Sequence, residues 1–392
     1  MDENVEIIKG ASLWRDAWKR LLRNKLAVFG MIILAIMVIA VIIGPAIISW
    51  TTGYTYDLIP ADRELVRAMH PSFQHLMGTD DAGRDIFARV LQGGRISLSV
   101  GLISTIVSLI VGVSYGAIAG YLGGRIDNVM MRIVDILYAI PYILIVIVLL
   151  NAFSGANTAI LVSWSPQIIA SVAIILTCIF SSALLYRKLF ERADAFQGGL
   201  IRWLITIVFV IVTLVVIGGL VYLAASALVQ TGLGASLSEA YTKHVNPGLS
   251  QILLLFFALG LVSWLTMARV VRGQILSLKN QEFVMAAKAT GVSTPAIIFR
   301  HLIPNALGPV IVYATLTVPS VMLTEAFLSY LGLGVQAPFA SWGSLAADGV
   351  KNIAIFPWQL LFPGLTMALT LFSLNFLGDG LRDALDPQTR KF

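Results

Sequence analysis

An all-α polytopic membrane protein is predicted by three observations: a deficit of charge, charge-free stretches of bilayer length, and a one-sided distribution of lysine and arginine. Of 392 residues, 58% are hydrophobic and 12% charged, and the mean hydropathy is +0.86. Soluble domains carry about 25% charged residues, so lipid is the solvent for most of this chain. A helix needs roughly 20 mostly apolar residues to cross the hydrocarbon layer. Gaps of that size run over 26–56, 96–124, 136–186, 203–238, 244–268, 301–324 and 352–378. The 136–186 gap is broken near Ser154-Gly155-Ala156-Asn157 and Ser163–Pro166, and holds two spans. About eight spans result: 26–49, 97–120, 133–153, 166–186, 202–228, 249–268, 306–330 and 357–378. The gap 326–347 is set aside, because Gly332, Gly334, Gln336, Pro338 and Gly343 mark a loop that dips toward the membrane.

Sidedness follows from the basic residues, which concentrate on the cytoplasmic side. With the N-terminus inside, 20 of the 27 Lys and Arg fall on cytoplasmic segments and seven on outer ones. The net charge of +6 is thus a topology signal, and it calls for no nucleic-acid partner. An even span count puts both termini in the cytoplasm. The first apolar run is longer than a signal-peptide core and lacks a small-residue cleavage site, so it reads as an uncleaved anchor.

In chain order, 1–25 reads as a cytoplasmic helix with a basic aromatic face of Trp14, Trp18, Lys19 and Arg23. It suits a membrane-surface anchor, with docking to a partner as the alternative. Residues 26–95 comprise the first span, an outer loop over 50–77, and an interfacial helix over 78–95. In that helix Thr79 or Asp80 caps the start, and Ile86, Phe87, Val90 and Leu91 form one apolar face. A larger membrane domain covers 96–384, interrupted at 154–248 by an extra pair of spans, and 385–392 is a cytoplasmic tail. A pair leaves the orientation of everything after it unchanged, as expected of an insertion. Pro141, Pro319 and Pro363 are expected to bend their helices.

The most informative stretch is 282–304, a basic, mildly amphipathic segment between two apolar runs. Phe283, Ala286, Ala287 and Thr290 share one helical face, and small Ala residues permit close approach to a groove. Gly291 breaks that helix. Thr294 followed by Pro295 restarts one, and Pro304 opens the next span. Two short helices with an elbow suit helix-in-groove recognition.

Chemistry-bearing residues are sparse. His70, His75, His244 and His301 are scattered without ligand spacing. Cys178, the one cysteine, permits no intrachain disulfide. No Gly-Lys-Ser/Thr phosphate loop occurs, and no nucleophile–base pair or acidic dyad stands out, so an enzyme is not expected. Glu325 sits near the outer end of a span, where it lines or gates a solute path or fixes the Gly-rich loop after it. Asn375 lies near the inner end of the last span, on a path or as glue between helices.

These motifs resemble those of one family. They are Ala286-Ala287…Gly291…Pro304; Gly78-Thr79-Asp80-Asp81-Ala82-Gly83-Arg84-Asp85; Gly123-Gly124-Arg125-Ile126-Asp127…Asp135…Pro141; Glu325–Gly334 with Ser341-Trp342-Gly343; and Asn375–Pro387. Together they resemble the C-type permease of the dipeptide, oligopeptide and nickel ABC importers over roughly 15–153 and 249–390. The resemblance implies a type I ABC importer transmembrane fold, a six-span plan plus the inserted pair. It implies a peptide or related small solute as cargo. Expected partners are a B-type permease, one or two ATPase subunits and an extracytoplasmic solute-binding protein, with ATP and Mg on the ATPase subunits and no cofactor in this chain. Glu282, Ala286, Ala287, Gly291 and Pro304 are then the ATPase-docking residues. Met285 stands where the family commonly has Glu, and 154–248 has no counterpart in the six-span plan. The rival class is an ATPase-independent secondary transporter or channel driven by intramembrane carboxylates, for which Asp135 and Glu325 are the available groups.

Overall fold

The computed structural model describes residues 13–62, 66–152 and 247–385, with isolated positions between 219 and 237. The chain divides into two units, Met1–Leu150 with Gln251–Phe392, and Asn151–Ser250; only the first is described below. The expected spans 166–186 and 202–228, and Cys178 and His244, lie outside the described residues.

Eleven α-helices carry the description: α1 Leu13–Arg23, α2 Lys25–Thr52, α3 Ile86–Leu122, α4 Gly124–Ala139, α5 Tyr142–Ala152, α6 Pro247–Leu278, α7 Glu282–Ala289, α8 Thr294–Ala296, α9 Ile303–Tyr330, α10 Trp342–Lys351 and α11 Trp358–Leu385. A π-helical turn, Ile297–Leu302, joins α8 to α9. Among the described residues five helical stretches are long and apolar enough to cross a membrane. A sixth, Gly124–Ala139 with Tyr142–Leu150, is bent by 81°. Pro141 is the cause at that break. It disfavours helical backbone at Ile140, which is extended with ψ 129°. Helices α9 and α11 instead continue through Pro319 and Pro363.

Helix α2 starts where Asn24 Oδ1 accepts from the Leu26 and Ala27 amides, and stops at Gly53 with φ +74°. Pro45 inside it takes away the amide that would bond the Val41 carbonyl. Arg95 of α3 supplies the missing donors. Its Nε donates to Val41 O at 2.9 Å and its Nη2 to Ile42 O at 2.6 Å. A proline in an apolar helix is tolerated where a neighbour satisfies the freed carbonyl.

Helix α3 runs without interruption from Ile86 to Leu122, about 55 Å at 1.5 Å per residue. The separate interfacial helix expected over 78–95 is therefore not formed. Asp85, not Thr79 or Asp80, caps the helix, its Oδ1 accepting from the Ala88 amide at 2.8 Å. Ile86, Val90 and Leu91 do share a face, but it is buried within the fold. The residues before it form a locked turn. Asp80 accepts from Arg84 Nε at 2.8 Å and Arg89 Nη1 at 2.5 Å, and from the Ala82 and Arg84 amides. Asp81 accepts from Asn352 and Gln359 near the start of α11. His75 Nδ1 bonds Asp85 Oδ2 at 2.9 Å, a pairing that sequence spacing did not show.

The core follows from glycine spacing. Gly112, Gly116 and Gly120 lie one above another on α3 and face α6. A Cβ at Gly116 would lie 2.3 Å from Ala268 O, one at Gly112 2.6 Å from Met267 Cβ, and one at Gly120 3.0 Å from Arg272 O. Where lipid is the alternative, small residues let helices pack by backbone contact. Gly260 repeats the device from α6, against Val107 and Ser104. Helix α1 lays Ala17 and Leu21 against Ala27 and Ala384 and leaves Trp18 and Leu22 exposed.

Candidate functional site

The elbow over 282–302 is built in three steps. First, Gln281 lies in extended backbone and begins α7. Second, α7 ends in a Schellman motif: the Val292 amide donates to Ala287 O and the Gly291 amide to Lys288 O, both at 3.0 Å. That closure requires the left-handed conformation seen at Gly291, φ +78°. Third, the chain restarts at Ser293, one residue before the expected cap Thr294, and passes through the π turn into α9. Pro304 explains the π turn. It has no amide to offer Arg300 O, and its ring crowds that carbonyl. Widening the turn lets the Ile303 amide reach Ile298 O instead.

The elbow is anchored on one side. Val284, Ala287, Ile297, Ile298 and Leu302 are buried in one cluster with Ala117, Met267, Val271, Ile275 and Ala306. Lys288 Nζ sits 5.2 Å from the Tyr121 ring centroid. The opposite side is open. Glu282, Phe283, Met285, Ala286 and Gly291 are exposed, as are Phe299 and Pro304. Ala287, expected on the docking face beside Ala286, is 8% exposed and faces the protein's own core.

Two arginines of α6 hold α4. Arg272 grips Asp127 with a fork, Nε to Oδ1 at 2.5 Å and Nη2 to Oδ2 at 2.7 Å. One turn earlier, Arg269 Nη2 reaches Asp135 Oδ1 at 2.9 Å and its guanidinium lies over the Tyr138 ring. Lys279 Nζ donates to Gly120 O. The carboxylates of the 123–141 motif thus tie α4 to the helix that leads into the elbow. Asp127→Ala is expected to cost on the order of 1–3 kcal/mol, since it strands a charge that is only partly solvated. The double variant Asp127→Ala/Arg272→Ala should recover part of that loss in thermal unfolding of the purified protein.

At the other end, Glu325 is 1% exposed. Its Oε1 accepts from Ser329 Oγ and Ser341 Oγ, each at 2.6 Å. Ser341 caps α10 through a reciprocal box with Ser344. Trp342 is fully buried, with Nε1 donating to Val90 O at 2.8 Å. Glu325 thus lies away from any surface, its carboxylate joining Ser329 of α9 to Ser341 at the start of α10. Asn375 is exposed on α11. Among the described residues no cluster of three or more metal-ligating side chains occurs.

Long apolar helices locked by glycine contacts, with an anchored elbow at one end, define a multi-pass helical membrane protein. The chain belongs to the family of binding-protein-dependent transport system inner membrane components, whose model matches residues 112–193 and 192–391. A second model, the N-terminal TM domain of oligopeptide transport permease C, matches 12–63. The oligopeptide transport system permease protein OppC of Bacillus subtilis is 36% identical, over 98% of this chain and 92% of the relative. OppC of Escherichia coli strain K12 is 37% identical over 99% and 95%. The dipeptide transport system permease protein DppC of B. subtilis is 35% identical over 97% and 87%. The chain is a permease subunit of an ABC importer.

Proposed function

We propose that this permease carries di- or oligopeptides across the cytoplasmic membrane, that both its termini are cytoplasmic, and that its elbow is the docking element for an ATPase subunit. The cargo reading is supported by relatives named for oligopeptide and dipeptide transport. A B-type permease, one or two ATPase subunits and a solute-binding protein complete the transporter, and ATP and Mg reside on the ATPase subunits. The outer segments 50–95 and 326–356 are the surfaces offered to the binding protein. The division of the chain near 150 and 251 supports reading 154–248 as an insertion in a six-span plan.

The observation that carries the docking role is the two-sidedness of the elbow. One side is clamped into the helix core, so a push on the other moves α6, α9 and α4 together. The open side offers Glu282, Phe283, Met285 and Ala286, a small mixed surface suited to a groove. Rigid-body motion of packed helices is the usual form of such coupling.

Met285 is 54% exposed and is the position to probe. A photo-crosslinking amino acid in place of Met285 should capture an ATPase subunit in native membranes, whereas one in place of Val284, fully buried, should not. Capture of no ATPase from Met285 in a transporter that still imports would end the docking assignment.

A further inference from the structure

The α4–α5 break opens onto a cavity of about 450 Å³. Its walls come from the break itself, from the middle of α6 and from α9; Tyr138, Pro141, Ser263, Thr266, Ser320 and Thr324 carry the argument. The size is within the range of small-molecule sites, about 300–1,000 Å³. Three features give it a chemistry. The lining contains hydroxyls and apolar groups but no Asp, Glu, Lys or Arg. Ser263 Oγ donates to Leu259 O and Thr324 Oγ1 to Ser320 O, so these two hydroxyls have spent their protons and keep lone pairs for an incoming donor. The broken helix adds backbone. The last carbonyls of α4 and the Tyr142 and Ile143 amides that open α5 have no partners within their own helices, whereas the Leu144 and Ile145 amides donate to Pro141 O; irregular backbone within an apolar layer is tolerated where it lines a cavity.

We propose that this cavity is a passage site for the solute, recognising peptide main chain by neutral hydrogen bonds and tolerating varied uncharged side chains on its apolar walls. The proposal rests on the peptide-importer reading above. Hydroxyl and carbonyl acceptors match the amide N–H groups of a peptide, and free helix amides match its carbonyls. A site without fixed charge offers no partner to a charged side chain, whose desolvation goes uncompensated, and it holds an uncharged guest weakly enough to release it. The break supplies the motion as well. A bend of 81° between two half-helices is a hinge that rocking of α4, driven from the elbow through Asp127 and Arg272, would open or close.

The test uses the complete transporter in cells, with Cys178→Ala as the parent and radiolabelled trialanine as the probe. Ser320→Cys places a thiol on the cavity wall, at an exposed position. Benzyl methanethiosulfonate should then lower trialanine uptake by an order of magnitude relative to the unlabelled variant. Dithiothreitol should restore it, and excess trialanine during labelling should slow the modification. Thr324→Cys, on the same wall, is read in the same way if the first variant fails to import. A thiol that never reacts, or a label that leaves uptake unchanged, overturns the cavity as a passage site while the importer reading stands. A parent that imports no trialanine overturns the cargo reading and this inference with it.

Discussion

Gly291→Val is expected to lower solute uptake by an order of magnitude while leaving membrane insertion intact and lowering thermal stability only by its local backbone strain, roughly 1–2 kcal/mol. The position separates coupling from folding unusually well. A Cβ there would meet nothing within 4 Å, so no packing is lost. The cost is in the backbone. Gly291 sits at φ +78°, where an L-residue loses roughly 1–2 kcal/mol and a β-branched one is a genuine outlier. Relieving that strain means giving up the Schellman closure, in which Gly291 and Val292 cap the end of α7. The two buried anchors of α7, Val284 and Ala287, then no longer fix how Glu282, Phe283 and Met285 are presented. Gly291→Asn is the discriminating control, because Asn adopts the left-handed conformation at little cost. It should import almost normally. Uptake by the Val variant equal to wild type, measured beside the Asn variant, would show that the elbow's shape does not matter to transport.

Much of this site was legible in the sequence, and the illegible parts share a cause. The break at Gly291, the restart near Thr294-Pro295 and the opening of a span at Pro304 are local signals of backbone chemistry, and each lies within a residue of its place in the structure. Which face of α7 points inward was not legible. Apolar residues occupy both sides: Val284 and Ala287 are buried, whereas Phe283 and Met285 are exposed. A face kept for a partner subunit carries the same residue types as a face kept for the core. The sequence pattern therefore puts Ala287 outward, beside Ala286, whereas in the structure it faces in.

The 78–95 segment shows the same ambiguity in another form. Its apolar periodicity is real, yet the cover over Ile86, Val90 and Leu91 is protein and not the membrane interface. Trp342 and Trp358, more than 240 residues later in the chain, share a buried cluster with Ile86 and Val90, and no local pattern reports so distant a partner. Glu325 was half legible. Ser329 lies one turn on, a spacing that brings side chains together on a helix, but Ser341 reaches the carboxylate only because the intervening loop turns back. The glycine ladder was fully written, at intervals of four on α3, and its meaning depended on knowing that α6 lies opposite.

That ladder sets the largest stability effect expected in the described unit. Gly116→Leu should destabilise the protein by about 3 kcal/mol or more, above the usual range for overpacking, because the obstacle is backbone. Its Cβ would lie 2.3 Å from Ala268 O and 3.0 Å from the Arg272 amide, and a helix cannot yield at one carbonyl without moving as a whole. Displacing α6 in that way also pulls Arg272 off Asp127, so the packing defect and the ion-pair defect share one cause. Gly116→Leu combined with Asp127→Ala should then be less destabilising than the two single effects added, as for coupled neighbours. Gly273→Ala on α6 is the control. Nothing lies within 4 Å of its Cβ, and helix propensity favours Ala by up to about 1 kcal/mol, so its unfolding temperature should hold or rise. If Gly116→Leu unfolded at the wild-type temperature, backbone contact between α3 and α6 could not be what holds the elbow's base in place. On the docking proposal, the elbow would then have to transmit its motion through α9 alone.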